Sequence, residues 1–152
     1  MNIALIDKHP MLRNGMVMLL QNSFSNLTIV QGSNLHTYNQ NTHETFPDIL
    51  ILGLSEESPE VDLTLIQAFK NLNPASEIVI LADTVLYENA VASLASGIKG
   101  YISKRHGLSE VLKCMTSVIN GKRYVCPEVT DMLIEEYLEL KLNKDQSSLP
   151  SD

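Results

Sequence analysis

The sequence predicts an α/β fold, a doubly wound parallel sheet of five strands with helices on both faces. Five short apolar runs stand in the chain, and stretches with apolar residues at helical spacing separate them. Short runs without polar alternation are typical of strands buried on both faces, and strands that alternate with helices form parallel βαβ units. The chain has 152 residues, which suits one domain of ordinary size.

The first half of the chain holds three of these strands. They are the apolar runs at residues 3–6, 27–30 and 49–52. Pro10 suits the first turn of a helix, and the apolar residues from Met11 to Leu20 follow it at helical spacing. Ser33 is the predicted cap of a second, more polar helix that ends near His43.

The second half of the chain supplies the other two strands and four further helices. In chain order, these elements occupy residues 63–72, 78–81, about 91–94, 100–103, 108–119 and about 128–140. The strands are those at 78–81 and 100–103, and a loop rich in Ser, Glu and Pro precedes the first helix. Gly121 closes the strongly amphipathic helix at 108–119, and the helix after it is an addition to the five βα units.

Composition and charge exclude several classes of protein. No run approaches 18 apolar residues, so we expect no membrane span, and the first residues do not resemble a signal peptide. Cys114 and Cys126 have no metal-ligand spacing, which indicates reduced thiols in a cytoplasmic protein. The net charge of -7 argues against nucleic-acid binding by the bulk surface of this chain. No metal site and no cofactor are predicted.

Four segments resemble the receiver domain of two-component response regulators of the NarL/FixJ (LuxR-type) subfamily. They are residues 4–10 (ALIDKHP), 47–52 (PDILIL), 96–104 (SGIKGYISK) and 119–124 (INGKRY). They are similar to the subfamily's ALIDDHP, PDLVLLD, AGAxGYLLK and I..G..Y patterns, in the same order, and cover the chain to about residue 140. The resemblance implies a CheY-like, flavodoxin-like fold whose functional crevice lies at the carboxyl ends of the strands.

The resemblance also implies a phosphorylation pocket, which is degenerate in this sequence. A receiver needs an acceptor Asp after the third strand, two acids for Mg²⁺ after the first, a hydroxyl after the fourth and a Lys after the fifth. The sequence keeps Asp7 and Lys104. It has Lys8 in place of the second acid, Gly53 in place of the acceptor and Ala82 in place of the hydroxyl. We therefore expect no Mg²⁺ binding and no ordinary phosphorylation.

Each pocket residue also has a structural interpretation. Asp7 either caps the following helix or keeps a role in the pocket. We expect Lys8 and Lys104 to turn towards Asp7 and form a metal-free charge cluster with it. Gly53 is compatible with a tight turn or a positive φ. Tyr101 stands at the subfamily's aromatic switch position, but loss of the hydroxyl partner leaves a plain core role open.

The helix after Pro127 carries an apolar stripe that needs a surface to cover it. The stripe comprises Val129, Met132, Leu133, Tyr137 and Leu140. It could fold back on its own domain, dock a following domain or pair with a second copy. We expect a homodimer in which Met132, Leu133 and Tyr137 associate, and in which acidic positions meet the basic run between residues 99 and 123.

The predicted organisation is a receiver-like domain at residues 1–122, the extra helix at 123–141 and a polar linker or tail at 142–152. Subfamily members carry a helix-turn-helix domain after the linker, and this chain has no recognition-helix pattern. The resemblance therefore implies a transcription regulator that binds DNA only through a domain absent here. A signalling protein is a further expected partner.

The predicted function is a phosphorylation-independent pseudo-receiver, a regulatory and dimerisation module without enzymatic activity. No Gly-rich phosphate loop, nucleophile elbow or catalytic triad supports an enzyme. An enzyme or ligand-binding protein on the same fold is one alternative. Two further alternatives stay open. One is a standalone protein–protein interaction module, and the other is a receiver with an unorthodox acceptor carboxylate at Glu56, Glu57 or Asp83.

Overall fold

The computed structural model describes residues 1–147 and places six parallel strands in one sheet. The strands are β1 (Asn2–Ile6), β2 (Thr28–Gly32), β3 (Ile49–Gly53), β4 (Glu77–Ala82), β5 (Gly100–Ser103) and β6 (Tyr124–Val125). Their order across the sheet is β2-β1-β3-β4-β5-β6. The chain winds outward from β1 in both directions, so the predicted doubly wound α/β fold is confirmed.

Six α-helices connect and follow the strands. They are α1 (Pro10–Ser23), α2 (Leu35–Gln40), α3 (Leu63–Leu72), α4 (Tyr87–Ala95), α5 (Leu108–Ile119) and α6 (Pro127–Ser147). Pro10 begins α1 as predicted, and Asp62 caps α3 by accepting hydrogen bonds from Thr64 and Leu65. None of the helices formed by the described residues is long and apolar enough to span a bilayer.

The sheet separates two hydrophobic cores. Alternate residues of a strand point to opposite faces, so each central strand contributes to both cores. Ile6, Leu50 and Ile80 pack with residues of α2, α3, α4 and α6 on one face. Leu5 and Ile51 pack with residues of α1 and α5 on the other. All five are almost fully buried, as parallel strands covered on both faces must be.

The sixth strand corrects the predicted count of five. Tyr124 donates a backbone hydrogen bond to Lys99 (2.9 Å), and Cys126 donates one to Tyr101 (3.0 Å), so this segment pairs with β5. The chain leaves α5 beside an open sheet edge, whose backbone groups are satisfied by the pairing. The sheet therefore extends past the predicted boundary at residue 122.

The second helix begins one residue later than predicted and is shorter. Asn34, not Ser33, is its cap, because the Asn34 side chain accepts a hydrogen bond from the backbone of Thr37 at 2.8 Å. The helix ends at Gln40 rather than near His43. Both residues are capping types, so the sequence alone does not distinguish them.

The last helix is longer than predicted and has two unlike halves. It runs to Ser147, so residues 142–147 are helical rather than part of a tail, since no Gly or Pro interrupts them. The rest of the predicted tail, residues 148–152, lies outside the described residues. Val129 is completely buried and Leu133 packs beside it, whereas all residues from Ile134 to Gln146 are exposed.

Val129 should anchor α6 to the sheet. We expect Val129→Ala to lower the free energy of unfolding by about 2 kcal/mol, because it removes buried methyl groups and leaves a cavity. Ile134→Ala, on the exposed half of the same helix, should change it by less than about 0.5 kcal/mol. Urea denaturation measures both values. Equal losses at the two positions would show that the anchor is not at Val129.

Candidate functional site

The carboxyl ends of four neighbouring strands bring the predicted pocket residues to one edge of the sheet. Asp7 follows β1, Gly53 and Ala82 end β3 and β4, and Lys104 follows β5. The backbone of Asp7 is tied to the end of β2 by a hydrogen bond from its amide to the carbonyl of Gly32 (3.1 Å). In doubly wound sheets this edge is where ligands and reacting groups are held.

A buried ion pair occupies the centre of this edge. Lys104 Nζ lies 2.7 Å from Asp7 Oδ2, and the two side chains are only 11% and 2% exposed. The same ammonium donates to the carbonyl of Leu54 at 2.7 Å and lies 3.3 Å from Asp83 Oδ1. The ammonium therefore has one hydrogen-bond acceptor and two carboxylates of opposite charge around it. The lysine is therefore fixed by its surroundings as well as by its charge.

The second oxygen of Asp7 serves the start of α1. Asp7 Oδ1 accepts a hydrogen bond from the backbone of His9 at 2.8 Å and lies 3.1 Å from His9 Nδ1. His9 is the cap residue of that helix. Asp7 thus has both of the roles that the sequence allows. Its Oδ1 supports the start of α1, and its Oδ2 pairs with Lys104 in the pocket.

Gly53 leaves the space that the Asp7 carboxylate fills. A Cβ atom at this position would lie 1.8 Å from Asp7 Oδ2 and 2.7 Å from Asp7 Cγ. Gly53 is the last residue of β3 and is not among the glycines with positive φ, so the positive φ considered for it is not found. The position takes glycine because of close approach. An acceptor side chain at residue 53 and the observed position of Asp7 exclude each other.

Lys8 does not join the predicted cluster. It forms an ion pair with Glu57 in the loop between β3 and α3, and its side chain is 42% exposed. A second ammonium beside Lys104 would be repelled, whereas pairing near solvent costs less desolvation. The expectation that Lys8 turns towards Asp7 is corrected. Asp83 takes its place, so that the cluster consists of Asp7, Lys104 and Asp83.

The residues at this edge do not fit the Mg²⁺ that receivers hold. Both oxygens of Asp7 are engaged, one by Lys104 and the other by the start of α1. Lys8 brings a positive charge where an acid would be needed, and Ala82 has no hydroxyl. Among residues 1–147, no group of three or more His, Cys, Asp or Glu side chains is placed to hold a metal ion.

Tyr101 belongs to the core next to this edge. Its side chain is completely buried, and burial raises the pKa of its phenol, while the nearby Leu86 backbone and Asn89 side chain act in the opposite direction. Its hydroxyl makes no hydrogen bond of ordinary geometry with a described residue. The ring therefore lies in the core, and a role as a switch residue stays a prediction.

Two residues of the site were missed by sequence reasoning as partners of the pocket. Asp83 was considered only as an alternative acceptor, although its place directly after Ala82 puts it at the same edge. Asn89 has no local sequence signal. Its amide donates to the carbonyl of Pro59 (2.7 Å) and accepts from the amide of Val61 (2.9 Å), joining α4 to the loop after β3.

The three predicted association residues differ in exposure. Met132 and Leu133 are half-buried, and Leu133 packs against the core below α6. Tyr137 is 62% exposed. Folding back on its own domain therefore accounts for the first part of the helix and leaves the part from Ile134 onward without a cover among the described residues.

Similarity to known proteins identifies the class. No model of a protein family matches the chain. The oxygen regulatory protein NreC of Staphylococcus haemolyticus is 28% identical over 148 residues, which are 97% of this chain and 68% of that protein. NreC of Staphylococcus aureus (strain JH9) is 29% identical over 140 residues, 91% of this chain and 64% of that protein. The chain spans about two thirds of the length of these relatives.

Solved structures share the fold. A LuxR-family two-component response regulator from Aurantimonas sp. SI85-9A1 superposes with a TM-score of 0.77 at 22% identity, over 90% of this chain and 97% of that one. The isolated receiver domain of RcsB from Salmonella enterica serovar Typhimurium, in the presence of the phosphomimetic BeF₃⁻, gives a TM-score of 0.74 at 22% identity, over 86% and 96%.

The fold is thus that of the receiver domains of response regulators, whereas the edge keeps only Asp7 and Lys104 of the expected pocket residues. In sequence the chain is similar to the oxygen regulatory protein NreC, and in fold it is similar to a LuxR-family two-component response regulator. The resemblance drawn from the four sequence segments is confirmed.

Asp7 should be the residue on which the stability of this edge depends most. Asp7→Asn keeps an acceptor for the start of α1 but removes the charge beside Lys104, so we expect a loss of about 3 kcal/mol in the free energy of unfolding. Asp83→Asn removes a carboxylate that is 22% exposed and should cost less than about 1 kcal/mol. Urea denaturation at low salt compares the two, and an unchanged Asp7→Asn protein would contradict the assignment.

Proposed function

We propose that the chain is a pseudo-receiver, a regulatory module of a response regulator that works without phosphorylation and without enzymatic activity of its own. The observation that carries this proposal is the position of the Asp7 carboxylate, which fills the space of an acceptor side chain at Gly53. Phosphorylation needs a nucleophilic carboxylate there together with a metal ion that neutralises developing charge. Neither requirement is met by the residues present.

The ion pair gives this edge a fixed charge balance. The resemblance to receivers implies a lysine at this position that holds phosphoryl oxygens. Here Lys104 already donates a hydrogen bond to the carbonyl of Leu54 and forms ion pairs with Asp7 and Asp83. Any signal that this domain receives must therefore reach it by another route, such as a bound molecule or a contacting protein.

Transcription regulation is the proposed output. The relatives named NreC are oxygen regulatory proteins, and one similar structure is a complex of RcsB with DNA. We propose that this chain contributes the regulatory part of such a regulator, while DNA is bound by a helix-turn-helix domain outside the described residues. The net charge of -7 is consistent with this division. Two buried free cysteines fit a reducing compartment, the cytoplasm.

Intact-mass measurement tests the central claim. The chain is incubated with acetyl phosphate and Mg²⁺, beside a receiver that has an intact acceptor as the positive control. We expect no mass increase of one phosphoryl group for this chain, because Gly53, at the position of the acceptor, has no carboxylate. An added phosphoryl group would contradict the pseudo-receiver.

Asp83 is the carboxylate that an unorthodox receiver would use, because it lies 3.3 Å from the Lys104 ammonium and is partly exposed. Glu57 is engaged by Lys8 instead. If the intact-mass measurement detects a phosphoryl group, repeating it with Asp83→Asn, Glu56→Gln and Glu57→Gln locates the acceptor. Loss of the group in one variant alone would establish that alternative.

We also propose that the chain forms a homodimer through the exposed half of α6. This half presents five large apolar side chains, each at least half exposed: Ile134, Tyr137, Leu138, Leu140 and Leu142. Its three glutamates precede its two lysines, with Asp145 after them, so two antiparallel copies would bring the glutamates of one copy near the lysines of the other. A structure related in fold holds two RcsB dimers bound to DNA, which makes dimerisation familiar for this fold.

Sedimentation at micromolar concentration tests the dimer. Tyr137→Glu with Leu138→Glu should dissociate it, because both substitutions put charge into the apolar contact without changing the buried Val129 or the half-buried Leu133. Asn143→Glu with Gln146→Glu adds the same charge to exposed polar positions and serves as the control. We expect salt to weaken the parent dimer. A parent that is monomeric at every concentration would end this proposal.

A further inference from the structure

A cavity of about 350 Å³ opens beside the ion pair, between the ends of β1 and β3, the start of α2 and the loop at residues 54–62. Its walls are mostly apolar, and its lining includes Ile6, Leu35, Leu52, Leu54 and Leu65. All but Leu65 are buried residues of the sheet face that carries α2 and α3. Gly53, serine and asparagine residues, one lysine and three acids complete the lining.

We propose that this cavity binds a small molecule with an apolar body and a cationic amine or amidine group. The volume lies in the lower range of small-molecule sites, where apolar walls and a few polar groups hold the ligand. This inference rests on the proposed function, because it supplies the input that replaces phosphorylation.

The charge balance of the lining selects the sign of the ligand. Asp7 is neutralised by Lys104, and Lys8 is neutralised by Glu57. The remaining charged residues of the lining are Glu60 and Asp62, both exposed at the rim. An apolar molecule with one positive group would bury its body against the leucines and keep its charge beside these carboxylates.

The loop that lines the cavity is joined directly to other parts of the domain. Its first residue, Leu54, accepts the hydrogen bond from Lys104. Further along the loop, the Pro59 carbonyl and the Val61 amide both form hydrogen bonds with the side chain of Asn89 on α4. Asn89 also lies near the hydroxyl of the buried Tyr101. A ligand that moves this loop would therefore act on the ion pair at one end and on α4 at the other.

The experiment uses tryptamine as the probe and indole-3-acetate as a probe of similar shape and opposite charge. Both are titrated into the ¹⁵N-labelled chain and followed by amide chemical shifts. We expect saturable shifts at Leu54, Ser58 and Leu65, and at the side-chain amide of Asn89, with tryptamine alone. The dissociation constant should be on the order of 1 mM, which is ordinary for a fragment of about a dozen non-hydrogen atoms.

Two variants test the assignment. Glu60→Gln with Asp62→Asn removes the rim charge and keeps a capping side chain for α3, and it should weaken tryptamine binding at least about threefold. Glu44→Gln with Glu88→Gln removes two exposed acids elsewhere and should leave binding unchanged. Leu65→Trp places a larger side chain in the cavity and should abolish the shifts.

Three results would overturn the cavity proposal. They are no saturation up to about 10 mM tryptamine, equal binding of indole-3-acetate, or equal weakening in both charge variants. Phosphorylation is measured separately by mass. If the chain accepts no phosphoryl group and binds no tryptamine, the pseudo-receiver proposal stands and the cavity proposal fails. If the chain is phosphorylated and binds tryptamine, the cavity site stands and the pseudo-receiver proposal fails.

Discussion

The arrangement of the functional edge depends on one buried ion pair, that of Asp7 with Lys104. Moving both charges out of water costs several kcal/mol per ion, so their attraction does not by itself make the fold stable. Its importance is positional. Once the two charges are buried, each requires the other, and the surrounding backbone is arranged around them. Leu54 offers its carbonyl, Asp83 its carboxylate, and position 53 leaves room by having no side chain.

The sequence was informative where the chemistry is local or periodic. Apolar runs located the strands, because a strand between two helical layers must be apolar on both faces. The ends of these apolar runs also located Gly53 and Ala82 at the ends of β3 and β4. Comparison with the receiver pattern then showed that the acceptor and the hydroxyl are missing. Pro10 and Gly121 marked a helix start and a helix end for reasons confined to their own backbone.

Which side chains pair with one another inside the domain could not be predicted in the same way. Lys8 and Lys104 are both cations near Asp7 in the predicted fold, and only the path of the loop after β3 decides that Lys8 meets Glu57. The contact of Asn89 with that loop joins residues about 30 positions apart and depends on the same path. The short β6 has too few residues to give a periodic signal, and it exists because β5 offers an open edge.

The missing Cβ of Gly53 also limits how the site could change in sequence. An aspartate introduced there alone would meet the Asp7 carboxylate, since a Cβ would already lie 1.8 Å from its oxygen. Asp7 would have to turn away, and Lys104 would lose its nearest partner. Substitutions at positions 7, 53 and 104 are therefore coupled, and their effects on stability will not add. An aspartate at position 53 therefore requires a simultaneous change at position 7.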